Sequence, residues 1–274
     1  MSDETTEPLD ERSRYLRRLV FRAMQGGGRG HPGSALSLIE IVRVLYDHIL
    51  QVRPGEPQWP QRDRCILSKG HGCLALYAIL ADKGFFPMEE LDRFCRLDAM
   101  LGGHPELGMV PGVEASTGAL GHGLSIAAGM ALAAQRKGET HRVMVILGDG
   151  ELDEGSVWEA AMFAAKHRLQ QLTALVDYNK LQSYGAVTQV QPLEPLADKW
   201  RAFGFAVAEV DGHDPEALRR LLQRLPLSEG MPSAILCHTV KGKGVPMAEH
   251  NPDWHHKSSF KAEELAQLQS ALGS

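Results

Sequence analysis

The sequence predicts an α/β fold with a mostly parallel sheet flanked by helices. A continuous apolar run at 143–147 lacks the alternation of a half-exposed strand, as expected when both sheet faces are covered, and 172–176, apolar but for Thr173, reads as a second apolar strand. Strand and helix patterns alternate along the chain. No internal repeat, low-complexity segment or long Pro/Ser linker divides its 274 residues, so one large domain is expected.

Residues 1–11 are polar and acidic and read as a flexible segment ahead of a domain spanning 12–274. From 10 to 24, Leu16, Leu19, Val20 and Ala23 recur at helical spacing, and Gly26-Gly27-Gly28 ends the run. Ser34 is placed to cap a second helix over 35–50. A Pro-rich loop at 52–60 leads to a short strand at 65–67, a helix at 70–81 and another at 88–95, opened by Pro87. Residues 98–117, dense in Gly, Pro and His, read as an irregular loop. The Ala/Gly-rich stretch 120–135 predicts a helix whose small residues allow close packing. Beyond strand 143–147 come a helix at 157–168, strand 172–176, and helices at 195–202 and 215–225 around a strand at 205–210. A strand at 233–237, a polar loop opened by Lys241-Gly242-Lys243-Gly244 and a helix at 262–272 complete the chain.

Composition excludes several function classes. Lys+Arg 29 against Asp+Glu 34 gives a net charge of −5, which argues against nucleic-acid binding through bulk charge but leaves a local phosphate site open. No apolar run approaches the ~18–20 residues of a membrane helix, and the acidic N-terminus lacks the apolar core of a signal peptide. Cys65, Cys73, Cys95 and Cys237 lack metal-ligand spacing and suit buried thiols in a reducing cytoplasm. Glycine, 28 of 274, exceeds the usual ~7%, and there are 12 histidines, a combination that suggests tight turns beside polar chemistry.

The most informative segment runs from 143 to 185. One strand ends at Leu147 before Gly148-Asp149-Gly150; a helix follows; a second strand ends near Val176 before Asp177-Tyr178-Asn179. The interval from Asp149 to Asn179 is one βαβ unit. A right-handed crossover brings both strand ends to the same edge, and hence Asp149 and Asn179 to one crevice of the kind where open α/β sheets bind ligands. A carboxylate and an amide oxygen are hard donors suited to Mg²⁺ or Ca²⁺, and Mg²⁺ completes its octahedron with phosphate oxygens and water. Glycines on either side let backbone approach a diphosphate closely. This arrangement resembles the thiamine diphosphate signature.

Further motifs narrow the resemblance. In order they are Gly30-His31-Pro32-Gly33, Ser68-Lys69-Gly70-His71-Gly72, Gly103-His104-Pro105-Glu106, the segment Ser116 to Gly123, Gly148 to Gly155, the Lys-Gly-Lys-Gly loop and Trp254-His255. Together they resemble the transketolases over nearly all of residues 12–260. The resemblance implies a three-layer thiamine diphosphate-binding fold and covers only the diphosphate-binding domain. It therefore implies the N-terminal subunit of a split transketolase. The pyrimidine-binding domain, with the glutamate that activates the cofactor, would lie on a C-terminal partner chain, in a heterotetramer of two copies of each.

Carried over by resemblance, Asp149 and Asn179 would bind Mg²⁺ through side chains and Leu181 through its carbonyl. Gly118, Leu120, Gly148, Gly150 and Glu151 would border the cofactor. His71 and His255 would lie by the diphosphate and reacting carbon, and His31 and His104 would face sugar hydroxyls. Glu154 would link paired cofactor sites across the dimer. His122 stands where the family often has Gln, which would make that contact pH-sensitive. The activity implied is transfer of a two-carbon ketol unit from a ketose to an aldose, with histidines handling protons near neutral pH. The sugars implied are pentose-pathway phosphates, apulose 4-phosphate or a sulfosugar. Competing readings are a subunit resembling deoxyxylulose-phosphate synthase or a 2-oxo acid dehydrogenase, and a non-catalytic cofactor-binding regulator.

Several residues carry open alternatives. Asp177 either orders the Asn179 loop or merely ends a strand. Lys241 and Lys243 form either a phosphate contact or a solvated loop. Asp153 reads as a first-turn carboxylate, and His48, His141, His167, His213 and His238 read as surface or satisfied core residues.

Overall fold

The computed structural model describes residues 9–273. Five parallel strands form one sheet: β1 (Arg64–Leu67), β2 (Val143–Gly148), β3 (Leu172–Tyr178), β4 (Ala206–Asp211) and β5 (Ser233–His238), in the order β1-β2-β3-β5-β4. Both faces are covered. On β2, Met144 and Ile146 enter one core, whereas Val143, Val145 and Leu147 enter the other, so the period of two survives within a wholly apolar run.

The helices divide accordingly. The first core is walled by α1 (Glu11–Gly27), α2 (Pro32–Leu36), α3 (Ile39–Val44), α4 (Cys73–Asp82), α9 (Pro215–Leu222) and α10 (Ala262–Leu272). The second is walled by α5 (Gly123–Lys137), α6 (Gly155–Lys166) and α8 (Leu196–Ala202), with Trp200 fully buried. A short helix, α7 (Val187–Val190), lies between β3 and α8. The result is the expected three-layer α/β/α arrangement, with every strand running towards the same edge.

Local chemistry sets the boundaries. Asp10 caps α1 by accepting from the Ser13 amide at 2.8 Å, and Gly28, at φ +69°, terminates it. The helix thus begins at Glu11, while residues 1–8 of the expected flexible segment lie outside the described residues. The single helix expected over 35–50 is instead two helices and a wide turn. Pro32 starts α2 early, because proline fits the first helical position. Ser37 then sends its hydroxyl to the Ser34 carbonyl and to Asp177, and α3 runs into an i+5-bonded turn at Leu45–Ile49. The helix expected at 88–95 is only a 3-10 turn, Met88–Arg93. The helix expected from residue 120 starts at Gly123, because residues before it are taken by the loop over the strand ends.

Candidate active site

The C-terminal ends of the strands place the site. Gly148 stands in register with Asp177, so β2 and β3 release Asp149 and Asn179 side by side. Both are buried. Asp149 accepts from the Lys180 amide at 2.5 Å and the Gly150 amide at 2.8 Å, while Asn179 Oδ1 accepts from the Leu181 amide at 3.1 Å. The Leu181 carbonyl accepts from Lys241 Nζ at 2.7 Å. Three hard oxygen donors thus share one short stretch of the sheet edge.

Behind them Asp177 is completely buried and serves as a hub. It receives hydrogen bonds from Lys69, Thr239, Ser37 at 2.7 Å and Asn179 Nδ2 at 3.3 Å. Burial pushes its carboxyl up, but Lys69 and the other donors hold it below the ordinary range. It therefore orders the Asn179 loop, which resolves that alternative. Asp149 behaves oppositely: burial and the neighbouring Asp177 charge raise it to about 6. An ionised Asp149 is thus short of positive charge, as suits a side chain that takes a cation.

The Lys241 alternative is also settled in part, for the loop is not solvated. Lys241 and Lys243 are buried, and Lys241 reaches across to the Leu181 carbonyl. Burial and the nearby Lys69 bring the Lys241 ammonium down to about 8. Lys69 is paired with Asp177, so Lys241 is the buried ammonium left to meet an anionic ligand. This donor set, with cations behind oxygen donors, fits Mg²⁺ with a diphosphate.

The four expected histidines come together at the mouth. Ring centroids of His31 lie 5.6 Å from His71, 6.2 Å from His104 and 5.5 Å from His255, and His71 lies 5.5 Å from His255. An antiparallel bridge, Gly30 to Lys257, brings the segment after Trp254 beside His31. Gly33 allows close approach, since a Cβ there would lie 2.9 Å from the Trp254 carbonyl oxygen. Burial, then His256 and His104, lowers His31 to about 4; burial, then Lys241 and His31, lowers His255 to about 3; burial and Lys69 push His71 well below its usual value. These rings are neutral at physiological pH and can accept a proton or a hydrogen bond.

The remaining expected residues frame the crevice. Thr117 donates to the Leu67 carbonyl at 2.7 Å, which fixes the loop carrying Gly118 and Leu120 over the end of β1. Gly118, at φ +145°, lies against the His104 ring. Glu151 is committed to the protein: it accepts from the Gly121 amide at 2.9 Å, the Gly148 amide at 3.2 Å and Ser68. Its carboxylate holds the loop from behind. Glu154 is exposed at the start of α6 without a side-chain capping bond, and His122 is exposed at the start of α5.

Sequence reasoning did not assign Lys69, Ser37, Thr239 or His256. Lys69 lies within the Ser68–Gly72 motif, but nothing local pairs it with Asp177, 108 residues on. His256 lies 4.8 Å from His31, ring to ring. Ser183 meets His255 Nε2 at 2.9 Å, a contact between distant loops that no spacing announces.

Comparison with known proteins agrees with this geometry. Residues 10–274 match the family model described as transketolase, thiamine diphosphate binding domain. The chain is 44% identical over 249 residues to a 6-deoxy-6-sulfo-D-fructose transketolase subunit of Clostridium sp. (strain MSTE9), covering 91% of this chain and 90% of that one. It is 40% identical over 257 residues to an apulose-4-phosphate transketolase subunit of Phocaeicola vulgatus, covering 93% and 90%. Among solved structures, transketolase from Leishmania mexicana superposes with a TM-score of 0.89 at 32% identity, covering 97% of this chain and 42% of that one. A transketolase from Pichia stipitis superposes at 0.90 with 29% identity, covering 96% and 40%. The chain thus spans about two fifths of those longer chains. From the paired strand ends to the family match over residues 10–274, these findings converge: the chain belongs to the transketolase family, through its thiamine diphosphate binding domain.

Proposed function

We propose that this chain is the diphosphate-binding half of a two-chain transketolase, with residues 12–274 acting as one domain. The observation that carries the reading is the convergence of Asp149, Asn179 and the Leu181 carbonyl beside the Lys69 and Lys241 ammoniums, under four histidines. Asp149, Asn179 and Leu181 would hold Mg²⁺, and Lys241, Gly150 and His71 would meet the diphosphate. Bound there, thiamine diphosphate supplies the nucleophilic carbon and the electron sink for cleaving a ketose carbon–carbon bond.

The chain's own residues supply proton handling and orientation. Neutral His31, His71 and His255 accept hydrogen bonds from sugar hydroxyls and can take a proton as alkoxide character develops. His104, exposed at the mouth, faces the same space. The donors proposed are ketoses with an anionic terminal group, phosphate or sulfonate; the names of the two relatives above support that class.

The pyrimidine-binding half would come from a partner subunit, and two copies of each chain would make a heterotetramer. Supporting this is exposed apolar surface on α6, where Met162 is 54% and Phe163 39% exposed, and the neighbouring α5 leaves Ile126 and Met130 only partly buried. Glu154, exposed at the start of α6, would sit at that interface. The buried thiols of Cys65, Cys73 and Cys237 suit a reducing cytoplasm. Among the described residues, no helix is long and apolar enough to cross a membrane.

The test is ketol transfer from phosphorylated and sulfonated ketoses by the chain alone, by its C-terminal-half partner alone, and by the two co-expressed. Turnover only in the mixture supports the proposal. Turnover by this chain alone, or none in a mixture that forms a stable complex, contradicts it.

A further inference from the structure

The geometry points to His213 as a positioning residue that aims Lys241 into the cofactor crevice. The last ladder bond of β5 joins the Thr239 amide to the Tyr178 carbonyl at 3.3 Å. The next amide, Val240, lies beyond the sheet and donates to His213 Nε2 at 2.8 Å. One residue further on, Lys241 reaches the Leu181 carbonyl. The imidazole thus holds the chain where it leaves the sheet, just before Lys241, while beyond it the Gly242 amide donates to the Gly33 carbonyl at 3.1 Å and the Lys241 carbonyl accepts from the His250 amide at 3.0 Å.

That imidazole is itself fixed from behind. A backbone amide can only donate, so Nε2 accepts and Nδ1 carries the proton, which it gives to Glu40 at 2.8 Å. Glu40 is buried and receives both terminal nitrogens of Arg17, at 2.6 and 3.0 Å. Arg17 Nε donates to the Lys243 carbonyl at 2.8 Å, and its other contacts reach the Ser13 and Leu36 carbonyls at 3.2 Å. Arg17, Glu40 and His213 thus grip the loop at two points, Val240 and Lys243, on either side of Lys241. None of the three is hydrogen-bonded to Asp149, Asn179, Leu181 or the four histidines, so the effect proposed here passes through the loop.

The inference rests on the proposed diphosphate role of Lys241, and the test separates the two. Affinity for thiamine diphosphate, at fixed Mg²⁺, is measured on the chain co-purified with its partner by quenching of tryptophan fluorescence. Thermal unfolding of the unloaded complex is recorded alongside. The variants are Lys241→Met, His213→Asn and His213→Gln. Asn can keep the donor to Glu40 and loses the acceptor for Val240. Gln can place an acceptor near the position of Nε2.

Lys241→Met and His213→Asn should each weaken binding by roughly ten-fold or more. His213→Gln should stay within about three-fold of wild type. Wild-type affinity in Lys241→Met would overturn the role of Lys241, and with it this inference. Weakened binding in Lys241→Met with wild-type affinity in His213→Asn would overturn the positioning role alone. Loss in His213→Gln equal to that in His213→Asn would also overturn it, since packing rather than the Val240 acceptor would then matter. If His213→Asn does not fold, His213→Ala takes its place: weakened binding that His213→Gln restores supports the positioning role, and wild-type affinity in His213→Ala would overturn it.

Discussion

Gly148 on β2 stands in register with Asp177 on β3, and the Asp149 amide donates to the Asp177 carbonyl at 3.3 Å. This pairing is where the sheet becomes a site. One residue past it on β2 comes a carboxylate that faces the crevice, and two residues past it on β3 comes the Asn179 amide. Asp177 itself turns back into the protein to anchor Lys69, Ser37 and Thr239.

Removing Lys69 should therefore be felt in stability as well as in ligand binding. Lys69→Met leaves a fully buried carboxylate without its cation, and breaking a buried pair from one side costs about 3–5 kcal/mol. The hydroxyls of Ser37 and Thr239 still donate, so the lower end is expected. The urea midpoint of the unloaded chain should fall accordingly. An unchanged midpoint would mean that the ion pair does not hold the hub.

The histidine cluster predicts a pH dependence with a definite sign. His31 titrates at about 4 when folded, against an ordinary 6.5, so between those values the unfolded chain binds more protons than the folded one. Stability should therefore decline as pH falls from about 6.5 towards 4, and His71 and His255, shifted in the same direction, add to the trend. Proton NMR of the imidazole C2 positions at pH 5.5 should show these three rings still neutral. His31→Asn should flatten the slope of the denaturation midpoint against pH. A His31 titration near 6.5 would contradict the burial argument.

Gly118 should couple the cofactor border to the His104 ring. An alanine Cβ there would lie 2.9 Å from His104 Cδ2, at a φ of +145° that side chains rarely adopt. In the two-chain enzyme, Gly118→Ala should lower kcat/KM for the sugar by roughly ten-fold or more, because the His104 ring is displaced. Thiamine diphosphate affinity should fall as well, since Gly118 stands at the border of the proposed cofactor site. Wild-type values of both would contradict the close packing of Gly118 against His104.

Much of this site was legible in the sequence, and the reasons are local. The runs 143–147 and 172–176 fixed two central strands, and the Asp149 to Asn179 interval fixed their common edge, because a βαβ unit has one handedness. His31, His71 and His255 lie at or beside short helical turns, and His104 lies in the long loop between Arg93 and Gly123, where composition alone is informative. What escaped notice depends on pairs far apart in the chain. Lys69 meets Asp177, Ser183 meets His255, and His213 meets both Glu40 and Val240. From sequence, Lys241 and Lys243 read as either a phosphate contact or a solvated loop, because no pattern within the loop indicates that α1, α2 and the Leu181 loop close over it.

The central claim is that Asp149, with Asn179 and the Leu181 carbonyl, holds the metal that seats the diphosphate. The most direct measurement is calorimetric titration of thiamine diphosphate with Mg²⁺ into the co-purified two-chain complex, wild type against Asp149→Ala. The account predicts Mg²⁺-dependent binding of one cofactor per diphosphate-binding chain, weakened by roughly ten-fold or more, at least about 1.4 kcal/mol, in the variant with its fold intact. Undiminished, Mg²⁺-dependent binding by Asp149→Ala would contradict it.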